Sequence, residues 1–213
     1  MRPHSLREMT QMEEYDARII DGAAELFRVY GIKAVTMDAI AAHLGVSKRS
    51  IYERFIDKDT LLFAVMDSMM AKQREIIERV LDSSPDVISA VFCIVRMGRD
   101  HASTMNPLIG SDLKKYHSNV LKRLSEKCEN PDYEAARKIL EKGISQGIFR
   151  ENINVEIVGR AFKGISAMAG NEELFPSELF LRQDIMRNLM VNFMRGIATE
   201  KGIQLIDSME NEI

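Results

Sequence analysis

The stretch TMDAIAAHLGVSKRSIYERF, positions 36–55, decides the fold of this chain. Its apolar residues recur at intervals of three and four, which is helical spacing, and Gly45 breaks the run. Thr36 and Ser47 each stand just before a helical segment, with a side-chain oxygen able to accept from the unpaired N–H groups of a first turn. Two short helices follow, over 37–44 and 48–55. Helices that cross steeply need a small residue where their backbones touch, and Ala41 stands there. The turn needs left-handed backbone, which Gly45 adopts without steric cost. Val46, Ile51 and Phe55 hold the second helix on the first, and Lys48, Arg49, Ser50 and Tyr52 form its free face. This is a helix-turn-helix pattern, whose second helix has the shape to enter the major groove of duplex DNA.

Working outward, the same periodicity continues on both sides. A first helix spans 15–30, with Ile20, Ala24 and Phe27 on one apolar stripe, Ala23, Leu26 and Tyr30 beside it, and Gly31 as its stop. A fourth starts after Asp57 and runs to about Leu81, closed by Ser83, Ser84 and Pro85. Further helices fit 86–105, 108–128, 132–146, 155–170 and 177–199, and the chain from Gly202 reads as frayed. None of the five prolines interrupts an apolar-periodic segment, and no run of alternating β-branched residues suggests a strand. The expected fold is all-α, with about nine helices.

The 213 residues are 46% hydrophobic and 29% charged, a balance that supports a packed core and excludes wholesale disorder. No apolar run approaches the roughly 20 residues a bilayer demands, and the first 16 residues hold no apolar segment of the secretory kind. Two cysteines, Cys93 and Cys128, are too few for a disulfide framework, which fits a reducing, cytoplasmic location. The net charge is −3, with residues 1–81 carrying 12 Lys and Arg against 13 Asp and Glu. Contact with a polyanion must therefore come from local arrangement, not from bulk positive charge.

Other chemistries find no support in the spacing. Cys93, His101, His117 and Cys128 lack the close separations of a structural zinc site. There is no glycine-rich phosphate loop, no Gly-x-Ser-x-Gly elbow and no recognisable acid–base pair. No catalytic residue, metal or cofactor is expected.

Residues 15–62 resemble the DNA-binding domain of the TetR family of bacterial transcriptional regulators. The resemblance lies in Ala24, Phe27 and Gly31; in Thr36, Ile40, Ala41 and the run Leu44-Gly45-Val46-Ser47-Lys48; in Ile51, Tyr52 and Phe55; and in Asp57, Lys58, Leu61 and Leu62. It implies a DNA-binding domain over 13–62 and a helical effector-binding and dimerisation domain over 63–213. By resemblance, Thr36 touches a phosphate. Ser47, Lys48, Arg49 and Ser50 open the recognition helix, Tyr52 offers its hydroxyl to a phosphate, and Lys58 meets another. Two positions depart from the pattern: Arg49 stands where glycine is common and Glu53 where a second aromatic is common. Arg49 adds a candidate reader of guanine. Glu53 repels phosphate and is expected to point away or to pair with a basic neighbour.

The resemblance further implies a ligand-responsive dimer. Two recognition helices meet half-sites about 34 Å apart on a palindromic operator, and an effector shifts the fourth helix and changes that spacing. Residues 177–199 carry more apolar positions than one face holds, and Gly159, Ser166 and Gly170 line one side of the preceding helix. Both point to a homodimer through residues of about 155–199. Fourteen methionines suit a pocket for a small apolar effector, although they suit ordinary core filling equally well. The expected function is a repressor released by its effector, the alternative an activator or a ligand-independent DNA-binding protein of the same fold. No membrane partner is expected.

Overall fold

A computed structural model describes residues 6–127, 131–169, 171, 173–176 and 178–209. Eleven helices occur among them: α1 (Leu6–Tyr30), α2 (Met37–Leu44), α3 (Lys48–Tyr52), α4 (Lys58–Ser83), α5 (Val87–Ser103), α6 (Leu108–Tyr116), α7 (Ser118–Lys127), α8 (Pro131–Ser145), α9 (Val155–Ala169), α10 (Arg182–Ile197) and α11 (Glu200–Met209). An isolated bridge between Phe149 and Ala198 accompanies them. The chain forms two compact units, Met1–Lys72 with Thr104–Lys127, and Gln73–Ser103 with Cys128–Ile213.

The core of the first unit gathers Ile19, Ala23 and Phe27 of α1, Ile40 and Ala41 of α2, Ile51 of α3, and Leu61, Leu62 and Val65 of α4. Leu113, Val120 and Leu124 of α6 and α7 complete it. The buried stripe of α1 runs one residue earlier than the spacing suggested. Ile20, Ala24 and Leu26 only flank it, and Tyr30 is exposed at the end of the helix.

The loop between α1 and α2 is pinned from several sides. Gly31 takes left-handed backbone at φ 79°, and its N–H caps Phe27 O at 2.9 Å. The buried carboxylate of Asp112 accepts the Lys33 N–H at 2.8 Å. Asn106 donates its side-chain amide to Val29 O at 3.0 Å and its backbone N–H to Arg28 O at 2.9 Å. The single helix expected over 108–128 is two, because the chain turns at His117, whose Nδ1 lies 2.6 Å from Asp59 at the start of α4.

The second unit packs α5, α8, α9, α10 and α11 around Ile88, Val91, Leu140, Phe149, Met194 and Ile206. The segment expected to fray is the helix α11, and Gly202 brings it against the backbone of Ile148. α10 begins at Arg182, so Leu179, Phe180 and Leu181 precede it, each exposed. Its buried side is Ile185, Met190, Val191, Met194 and Ile197, while Asp184, Asn188 and Asn192 face outward. Met186, Leu189 and Phe193 are half-buried along the same helix, and Leu179, Phe180 and Leu181 of the apolar surplus read over 177–199 lie in the segment before it. Gly159 is buried on α9; the Ser166 side chain and Gly170 lie outside the described residues.

Candidate nucleic-acid interface

Capping and core packing hold the helix-turn-helix in place. Thr36 is extended, and its Oγ1 accepts the Ala39 N–H at 3.1 Å to start α2. Gly45 ends α2 in the left-handed region at φ 66°. No atom lies within 4 Å of where its Cβ would be, so backbone conformation alone demands glycine there. Val46 N–H then bonds Ala41 O at 3.0 Å, closing the turn over the buried Ala41. Ser47 caps α3 by accepting the Ser50 N–H at 3.1 Å, and the two hydroxyls lie 2.7 Å apart. α3 spans five residues and Phe55 follows it after a turn, so Ile51 and Phe55, both buried, anchor a very short element.

The outward positions are Thr36, Ser47, Lys48, Arg49 and the 42% exposed Tyr52, with Ser50 half-buried beside them. Ser47, Lys48, Arg49, Ser50 and Tyr52 lie on α3 or at its cap and Thr36 at the start of α2, and their electrostatics adds what the spacing did not show. Lys48 Nζ sits 2.7 Å from Asp38 on α2, and that hydrogen bond raises the lysine's pKa above its usual value. Arg49 Nε bonds Glu53 at 3.0 Å, the basic neighbour expected for Glu53. Arg54 clasps Asp16 of α1 through two bonds of 2.5 Å.

Lys58 is turned inward. Its ammonium donates to Ile32 O at 2.6 Å and Val35 O at 2.5 Å, clamping the α1–α2 loop, and burial lowers its pKa. What Lys58 presents at the start of α4 is its backbone amide, where the helix dipole favours an anion. The Asp38 and Asp16 pairings span the turn and the domain, so no local pattern announces them. The Arg49–Glu53 pair has the i, i+4 spacing of helix neighbours and is readable in advance.

Among the described residues no group of three His, Cys, Asp or Glu side chains is placed to hold a metal ion, and no helix is long and apolar enough to cross a membrane. An all-helical chain that caps, turns and anchors two short helices in this way is a helix-turn-helix protein. Residues 19–65 match the model of the bacterial regulatory proteins of the tetR family. YvaF of Bacillus subtilis (strain 168), an uncharacterized HTH-type transcriptional regulator, is 32% identical over 189 residues, which cover 87% of this chain and 97% of YvaF. A tetR-family regulator structure from Pectobacterium atrosepticum has the same fold, at TM-score 0.72 and 20% identity, over 93% of this chain and 99% of that one. The structure of Thermus thermophilus FadR, a TetR-family transcriptional repressor in complex with lauroyl-CoA, aligns at TM-score 0.62 and 18% identity over 87% and 96%. The chain belongs to the tetR family and is a transcriptional regulator.

Proposed function

We propose that this regulator is a dimeric repressor that binds a palindromic DNA operator through α3 and is released by a small apolar effector. The observation that carries DNA binding is the exposed set Thr36, Ser47, Lys48, Arg49 and Tyr52, held on a capped scaffold whose apolar residues face the other way. In this proposal Arg49 and Lys48 meet base edges, and Thr36, Ser47, Ser50 and Tyr52 offer hydroxyls to phosphates and bases. Lys58 contributes its backbone amide. Residues 13–62 bind DNA, 63–213 take the effector and dimerise, and about 155–199 form the subunit contact.

Repression is supported by the FadR likeness, since FadR is a repressor in complex with lauroyl-CoA, a ligand whose acyl chain is apolar although its coenzyme A part is charged. The methionine content gives less support: Met190 and Met194 fill the core of the second unit. The α4–α8 cleft of about 570 Å³ is lined by Glu78, Asp82, Lys138, Glu141 and Lys142, side chains ill suited to an apolar molecule. Moving an operator from almost fully bound to almost fully free requires about 5.5 kcal/mol of preference for one state. Activation is the alternative, and a reporter placed behind the operator separates the two by the sign of its response.

Selection of duplexes from a random library, followed by footprinting, tests the function: a two-fold symmetric site is expected, and no enrichment contradicts the proposal. Tyr52→Phe removes one exposed hydroxyl with little volume. It is expected to weaken binding to all duplexes alike, by about 0.5–1.5 kcal/mol. An unchanged affinity across a salt titration means Tyr52 touches no phosphate.

A further inference from the structure

Four cations surround the exposed face of the helix-turn-helix, and each has an acceptor. Arg54 is held by Asp16 and Lys58 by two carbonyls, half-buried contacts that tie the turn after α3 and the start of α4 to the rest of the first unit. The pairs of Lys48 with Asp38 and Arg49 with Glu53 are different. Their side chains are 53%/64% and 88%/60% exposed. Such pairs contribute about 0–1 kcal/mol to stability and open readily, so holding the fold is not what they do best.

We propose that Asp38 and Glu53 are specificity-determining residues of the α3 face, suppressing attachment to DNA of the wrong sequence. This rests on the proposal that α3 reads DNA. Attraction to phosphate is the same along any duplex and supplies nearly all non-specific affinity. Asp38 and Glu53 offset the two exposed cations of α3 with two carboxylates. A phosphate approaching Lys48 must displace Asp38, and one approaching Arg49 meets the negative charge of Glu53. The edge of guanine carries no net charge and pays no such repulsion.

The geometry at Arg49 fits this selection. Glu53 engages Nε alone, and among the described residues the two terminal nitrogens have no acceptor. They remain free as a fork for guanine O6 and N7 while Glu53 braces the side chain along α3. Discrimination thus comes from a repulsive element beside an attractive one.

The test uses the full-length chain and two labelled duplexes, a 30-base-pair random-sequence pool and one recovered by selection with the wild type. Asp38→Asn and Glu53→Gln, singly and together, keep side-chain shape at exposed positions, and thermal melts verify the fold. The double variant is expected to bind the random pool about tenfold more tightly or better. Its plot of log affinity against log salt should be steeper by about one or more, while its preference for the selected duplex falls. Random-pool affinity within twofold of wild type in the double variant, with the wild type still preferring the selected duplex, overturns the role of the carboxylates and leaves DNA reading intact. Failure of the wild type to bind either duplex removes the DNA reading itself, and this inference with it.

Discussion

Replacing Ile51 with alanine is expected to remove about 3–4 kcal/mol of stability and most of the DNA affinity together. Ile51 is fully buried and belongs to a helix of only five residues, whose remaining anchors are Phe55 and the half-buried Val46. Truncating a buried isoleucine costs about 2–5 kcal/mol, because the cavity adds to the lost transfer term. With so few alternative contacts α3 cannot settle into the space without shifting its exposed face. For a chain of this size the melting temperature should drop by roughly 6–15 °C. A thermal melt paired with a titration of duplex checks both parts. A loss under about 1 kcal/mol with wild-type binding means α3 is anchored elsewhere.

Gly202→Ala is expected to be nearly as damaging although it adds one methyl group far in sequence from α3. A Cβ at this position would lie 2.3 Å from Ile148 O and 3.0 Å from Ala198 Cβ. The first neighbour is backbone, tied in by Thr199 N–H at 2.9 Å, so it cannot swing away as a side-chain tip would. Overpacking of this kind costs about 1–3 kcal/mol, and α11 must lift from the Phe149–Ala198 bridge to relieve it. The measurable sign is faster amide exchange over 200–209 with a lower melting temperature. Unchanged protection there means the helix accommodates the methyl group.

The helix-turn-helix was legible because each of its spacings answers a separate physical demand. Thr36, Gly45, Ser47 and Ile51 each do what a cap, a left-handed turn or a core anchor must do. Features that depend on distant partners were hidden. The break between α6 and α7 has no proline or glycine, and His117 reaches instead to Asp59, 58 residues away. Gly202 marked a frayed end in isolation, whereas in the fold it allows a close backbone approach. Lys58 carried a family resemblance to a phosphate contact, yet its ammonium serves the loop carbonyls 23 and 26 residues earlier.

Those partners also change the expected electrostatics of binding. Two to four neutralised phosphates per subunit would give a dimer a slope of log affinity against log salt of roughly −4 to −7. With Arg54 and Lys58 engaged elsewhere, Lys48 and Arg49 are the cations the α3 face can offer; were both to meet phosphates in each subunit the slope would reach about −4, and their engagement with base edges makes the expected slope shallower than that.

The central claim is that α3 reads DNA through Lys48 and Arg49. Its most direct test is the affinity of the full-length Lys48→Ala/Arg49→Ala double variant for a duplex selected with the wild type. Both side chains are exposed, so the helical content and melting temperature should stay close to wild type. A guanine-reading fork contributes about 1–3 kcal/mol per contact, and a dimer makes each contact twice. Affinity for the selected duplex should therefore fall by about 100-fold or more. A folded double variant that binds the selected duplex as tightly as wild type would contradict the claim.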